Sequence, residues 1–171
     1  KAPDFLLLNV VTENFNSLNK LKGQKGTLIA FICNHCPYVV HINEGLINIA
    51  NDYLKKGINT IAISSNDIEK YPQDAPDKMK QKAIELNFPF PYLFDDSQNI
   101  AKAYDAACTP DFYLFDEHLN LMYRGRMDES RPGNNIPVTG HDLRNAIDSL
   151  LDGKKLSSVQ YPSMGCNIKW K

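Results

Sequence analysis

Apolar and polar positions alternate loosely from Lys1 to Asn16, which predicts an N-terminal strand or hairpin closed by the turn Lys22-Gly-Gln-Lys-Gly26. Thr27 to Ile32 (TLIAFI) is a continuous apolar run after turn residues, the pattern of a strand buried on both faces. From Tyr38 to Lys56 the period changes: Val39, Ile42, Leu46, Ala50, Tyr53 and Leu54 recur at helical spacing, with Gly57 where a C-terminal cap belongs. Ile58 to Ser64 (INTIAIS) is a second buried strand, so this segment predicts a parallel strand–helix–strand unit with a right-handed crossover.

Asp74 is expected to open a further helix running to about Asn87, with Pro76 in its first turn. Phe88-Pro-Phe-Pro-Tyr92 cannot be helical, and a short helix over about Ser97 to Tyr104 would take Asp96 or Ser97 as its cap. Phe112 to Phe115 and Leu119 to Arg126 read as an antiparallel hairpin across the turn Asp116 to His118. Met127 to Gly140 reads as a long loop that could rim a site through Asp128-Glu-Ser-Arg-Pro132. A last helix places Leu143, Ala146, Ile147, Leu150 and Leu151 on one face, and Gly153 ends it. The remainder, Lys154 to Lys171, shows no period, so residues 1–171 are read as one α/β domain with a C-terminal tail at 154–171.

Charge and length narrow the function classes. Nineteen basic against twenty acidic residues give a net charge of −1 with no run of one sign, which argues against nucleic acid or an anionic membrane as partner. No apolar stretch is long enough for a membrane span. The chain starts at Lys1 rather than at a methionine, which leaves room for a trimmed leader; the expectation is a soluble, cytoplasmic protein. The four cysteines (Cys33, Cys36, Cys108 and Cys166) are too few for a disulfide scaffold, and the close pair points to redox or metal chemistry.

Proline decides which cysteine of Cys33-Asn-His-Cys-Pro37 attacks. With Cys33 as the helix cap, Pro37 would fall at the fourth helical position and delete the first intrahelical hydrogen bond. With Cys36 as the cap, Pro37 takes the favoured first position and Cys36 the extended conformation of a residue before proline. Cys36 then sits at the positive end of the helix. That end lowers a thiol by only about one pKa unit, so full ionisation needs another donor or cation. His35 when protonated, Arg124 or Arg126 are candidates, against the plainer readings of a turn-filling histidine and solvated arginines. Cys108 is either a small packing residue or a neighbour of Cys36, and Cys166 either packs or serves as a resolving thiol.

The order strand, CxxC, helix, strand, then Thr109-Pro110 before a hairpin resembles the thioredoxin superfamily over most of the chain. Cys33-Asn-His-Cys-Pro-Tyr-Val39, Cys108-Thr-Pro-Asp-Phe112 and Gly165-Cys-Asn-Ile-Lys-Trp-Lys171 resemble its peroxiredoxin-like branch, grouped with the alkyl hydroperoxide reductase and thiol-specific antioxidant (AhpC/TSA) family. The resemblance implies a thioredoxin fold: a central mixed sheet flanked by helices, here with an N-terminal strand or hairpin extension. It makes Thr109-Pro110 the cis-proline loop that faces the redox cysteines and presents backbone to an extended substrate. Counting from Phe31 as in thioredoxins puts the nucleophile at Cys36, while Val39 stands at the usual resolving position, so Cys33 would resolve from upstream. Peroxiredoxins carry a proline seven residues and a hydroxyl residue three residues before the peroxide-attacking cysteine; those positions hold Ile29 and Cys33.

The leading expectation is therefore a thiol-disulfide oxidoreductase without cofactor. Cys36 would be the nucleophile and Cys33 the resolving thiol, with Thr109, Pro110, His35, Pro37, Arg126 and Cys108 shaping the site. Its partners would be a disulfide-containing protein or small molecule and a thiol or thioredoxin-type electron donor. One alternative is a peroxidase, an antioxidant in which Cys33 or Cys166 resolves a Cys36 sulfenic acid. The other is a copper- or zinc-binding module using Cys33, His35, Cys36 and His41.

Overall fold

The computed structural model describes residues 1–171. The strand–helix–strand unit forms as expected: β3 (Gly26–Phe31; β1 and β2 are given below), α2 (Pro37–Leu54) and β4 (Ile58–Ser64), with β3 and β4 parallel over six residue pairs from Gly26↔Ile58 to Phe31↔Ile63. Every β3 residue is buried, because the strand is central and both of its faces are covered. Gly57 at φ +88 ends α2 in the left-handed conformation that glycine adopts freely.

The N-terminal hairpin is β1 (Leu6–Asn9) and β2 (Phe15–Ser17), followed by the short α1 (Leu18–Leu21), which is capped by the Ser17 hydroxyl accepting from the Lys20 N–H. After β4 a 3-10 turn (Pro72–Asp74) leads into α3 (Pro76–Glu85), and β5 (Tyr92–Phe94) runs parallel to β4. Then come α4 (Asn99–Ala103), the two-residue β6 (Cys108–Thr109), the antiparallel hairpin β7 (Asp111–Asp116) and β8 (Leu121–Gly125), α5 (His141–Leu151) and β9 (Cys166–Asn167). The main sheet is mixed, in the order β2-β1-β5-β4-β3-β7-β8, and β6 and β9 form a separate ladder. No helix is long and apolar enough to cross a membrane.

The sheet divides the core into two layers. Leu28 and Ala30 of β3 join a cluster of 26 buried residues with Val39, Ile42 and Leu46 of α2, Met79 of α3 and Leu143 and Ile147 of α5. Ile29 and Phe31 point the other way, into a cluster of 14 with Leu18, Tyr104 and Ile168. Each fully buried Ile or Phe among these contributes about 1.5–3 kcal/mol relative to an exposed one.

Two local expectations need correction. Asp74 does not open a helix: Ala75 caps α3, and the Asp74 carboxylate is buried and turned toward the cysteine loop. The cap of α4 is Gln98, in the left-handed region at φ +65, and the carboxylate that satisfies its first free N–H groups is Asp95, which accepts from Ile100 and Ala101. The tail, which shows no period, supplies β9 and buries Ile168.

Candidate active site

Cys36 caps α2 with φ −66 and ψ 123, and Pro37 occupies the first helical position. The extended cap conformation and the proline belong together, as a residue before proline avoids the helical region. Between β3 and this cap lies the loop Cys33-Asn34-His35, held from several sides. The Asn34 N–H donates to Asp74 Oδ1 at 2.8 Å, its amide nitrogen donates to the Gln73 carbonyl at 2.9 Å, and its oxygen accepts from the Tyr92 hydroxyl at 2.9 Å. Asn66 donates to the other Asp74 oxygen at 2.9 Å. His35 stacks on Tyr71, with ring centroids 5.5 Å apart, and its Nδ1 stands 2.5 Å from Asp74 Oδ2, an ion-pair approach rather than an aligned hydrogen bond.

The Thr109–Pro110 peptide is cis and lies against both sulfurs. Cys33 Sγ is 3.5 Å from Thr109 Oγ1, and Cys36 Sγ is 3.4 Å from the Thr109 carbonyl oxygen, to which it donates only while protonated. The strand β6 that carries Thr109 pairs antiparallel with β9, in the register Cys108↔Asn167 and Thr109↔Cys166. This brings a third thiol, Cys166, against Cys36.

Hydrogen-bond donors set the electrostatics of the cluster. Cys36 falls from the ordinary 9.0 to about 4, chiefly because the Cys33 thiol donates to its sulfur; the Cys166 thiol and the N–H groups of Val39 and Cys166 add to this, against the opposing effect of burial. Cys33 moves far upward, since its proton serves Cys36 and it is buried near the Asp74 charge. Cys166 is pushed up to about 11 by burial and by facing Cys36. Burial and the nearby Asp111 carry Cys108 to about 12.

The structure thus gathers Cys33, Cys36, Pro37, Thr109 and Pro110 around one point. His35 adjoins them, but its ring is engaged by Asp74 and Tyr71. The arginines are spent elsewhere: Arg126 Nε donates to Asp142 at 2.6 Å with its guanidinium over Tyr161, and Arg124 pairs with Asp105 and Asp111. Arg126 does line a cavity of about 270 Å³ together with Tyr38, Pro110, Arg131 and Met164. Cys108 is half-buried and directs its thiol at the carbonyls of Pro110 and Ser163.

Ligating atoms of Cys33, His35 and Asp74 lie within 4.8 Å of one another, whereas Cys36 and His41 do not join that group. The four-residue metal set expected from spacing is therefore not assembled. His41 lies within α2, and its Nε2 is buried without a partner.

A mixed sheet whose central strand delivers a cysteine pair to the start of a helix, opposite a cis Thr-Pro peptide, is the arrangement of a thioredoxin-fold protein. The thioredoxin domain of a thiol-disulfide oxidoreductase from Bacteroides vulgatus shares this fold, with a TM-score of 0.67 at 20% identity over 88% of this chain and 94% of that one. The sequence model of the AhpC/TSA family matches residues 1–124, and the chain belongs to that family. An uncharacterized conserved protein from Geobacillus kaustophilus is similar at 54% identity and a TM-score of 0.98, covering 100% of this chain and 90% of its own. A hypothetical protein from Sinorhizobium meliloti is similar at 45% identity and 0.97, over 100% and 93%. Among the curated proteins, none matches.

Proposed function

We propose that the protein is a thiol-disulfide oxidoreductase, residues 1–171 acting as one redox module, with Cys36 as the reactive sulfur and Cys33 as its partner. The observation that carries this reading is the Cys36 sulfur at the start of α2, with the cis Thr109–Pro110 peptide against both it and Cys33; the Cys33 thiol and the helix-start N–H groups lower it. The Cys36 thiolate attacks one sulfur of a substrate disulfide; that S–S bond breaks, and the displaced half leaves as a thiolate that takes a proton from solvent. Cys33 then loses its proton and attacks Cys36 Sγ. This frees the second half of the substrate and closes a Cys33–Cys36 disulfide, with two electrons passed to the substrate. A thiol or thioredoxin-type donor restores the dithiol.

The test is to mix reduced variants with a small chromogenic disulfide and look for a mixed disulfide by mass. Cys33→Ser combined with Cys166→Ala should accumulate it on Cys36, and Cys36→Ser should trap none on Cys33. Trapping on Cys33 in the Cys36→Ser variant would exchange the two roles.

Membership of the AhpC/TSA family favours peroxide as a second oxidant. Cys36 would pass through a sulfenic acid that Cys33 or Cys166 converts to a disulfide with loss of water.

A further inference from the structure

Cys36 has 0% of its surface exposed and Cys33 3%, so neither sulfur is open to an external thiol in this arrangement. Both lie in the core under the Thr109-Pro110 loop, and the chain's own tail packs against Cys36 through Cys166. Gly165 packs so closely on the β6 edge that an added Cβ would lie 1.9 Å from the Thr109 carbonyl oxygen. The tail is fastened on both sides of that point. Ser163 Oγ donates to Asp111 at 2.7 Å before it. After it, the Ile168 N–H donates to the Ala107 carbonyl at 3.0 Å, the Lys169 carbonyl accepts from the Asp67 N–H at 2.7 Å, and the Lys169 N–H donates to Asn66 at 2.9 Å. Backbone paired to Thr109 and thiol against Cys36, Cys166 holds the position that an exchanging cysteine needs. Unlike the pair, Cys166 is partly open to solvent.

We propose that Cys166 is the port of the buried pair: a Cys36–Cys166 disulfide is the species through which an external low-molecular-weight thiol reduces the oxidised protein. This rests on the reading of Cys36 as the reactive sulfur. Starting from Cys33–Cys36, Cys166 gives its proton to solvent and attacks Cys36 Sγ. The Cys33–Cys36 bond breaks, and Cys33 leaves and takes up a proton. The external thiolate then attacks Cys166 Sγ, the Cys36–Cys166 bond breaks, and Cys36 leaves as a thiolate. A second external thiolate attacks the sulfur of the first, releasing Cys166, which regains its proton. The balance is two external thiols oxidised to one disulfide and one protein disulfide reduced; of the two protons released, one ends on Cys33 and the other in solvent. Attack on the Cys166 side is favoured twice over, because that sulfur is the reachable one and because the thiolate of lower pKa leaves faster.

The experiment follows recharging of the oxidised full chain by 2-mercaptoethanol near neutral pH, in the wild type and in Cys166→Ala and Cys166→Ser. Both variants should recharge about tenfold more slowly or worse. Independently, Cys33→Ser treated with limiting diamide should yield a Cys36–Cys166 linked peptide on mass mapping, an outcome that needs no variant at 166 to fold. Recharging within twofold of wild type, or faster recharging because the tail is only a cover, overturns the proposal. So does a Cys33→Ser protein without the linked peptide. If alkylation of Cys36 in the wild type climbs tenfold per pH unit instead of holding a plateau from about pH 6, the underlying reading fails; if the plateau holds and Cys166→Ala recharges normally, only the port fails.

Discussion

Alkylation of Cys36 with iodoacetamide, followed from about pH 5.5 to 9, should trace a plateau rather than a slope. The thiol falls from 9.0 to about 4, a span of about 5. At pH 6 an ordinary cysteine is ionised to about one part in a thousand, while Cys36 is almost wholly thiolate. The gain in rate is far smaller than that ratio, because nucleophilicity falls with basicity at a Brønsted slope of about 0.4–0.5, costing about 100- to 300-fold over this span. Cys36 should therefore outpace an ordinary, equally accessible thiol by only about three- to tenfold at pH 6, and should fall behind it by about 100-fold at pH 9. Burial lowers the absolute rate without tilting the profile. The Cys36→Ser variant has lost the one lowered thiol: Cys108 stays at about 12, and Cys33 and Cys166, relieved of the Cys36 anion, are still raised by burial, so its labelling should climb about tenfold per pH unit. Labelled peptides quantified at each pH give both curves. A Cys36 rate that climbs tenfold per unit between pH 6 and 8.5 would refute the assignment of the thiolate and the donor argument beneath it.

Cys33→Ala removes the largest stabiliser of the Cys36 anion and should raise its midpoint, readable as a shift of thiolate absorbance toward higher pH; Cys33→Ser, which keeps a donor, should shift it less. Asp74→Ala strands the buried Asn34 and Asn66 donors beside His35 and should cost about 3 kcal/mol in denaturant unfolding. Gly165→Ala forces its new carbon against Thr109 and should cost about 1–3 kcal/mol, with faster amide exchange confined to β6, β9 and their anchors. Stopped-flow oxidation of the reduced protein by hydrogen peroxide should be slow, since Ile29 and Cys33 stand where peroxiredoxins place a proline and a peroxide-orienting hydroxyl.

The strand–helix–strand unit and its cysteine cap were legible because each rests on local chemistry. An unbroken apolar run marks a strand covered on both faces, a 3.6-residue period marks α2, and Pro37 admits only one register. β5 escaped because three residues after Phe88-Pro-Phe-Pro carry no period, and the strand exists only through its partners β1 and β4. Asp74 read as a helix opener from its neighbours in sequence, yet its carboxylate serves a loop some forty residues upstream. β9 was invisible for a similar reason: two residues become a strand because Thr109 is there to pair with, although Gly165-Cys166 had already stood out among the family-like stretches. The arginine candidates depended on where the β7–β8 hairpin would aim its side chains, and both found carboxylates first.

The position of β3 carries a mechanical consequence. It is paired along its full length to β4 on one side and β7 on the other, and α2 grows from the loop that follows it. Cys33 and Cys36 are thus mounted on the part of the molecule whose amides should exchange last, at the free energy of global unfolding. The third sulfur rides on a ladder of two residues. When sulfurs change partners, the compliance must come from that side: the tail flexes as a cantilever while the pair stays clamped, and amide exchange timed against a change of oxidation state should light up residues 163–169 while leaving 26–31 dark.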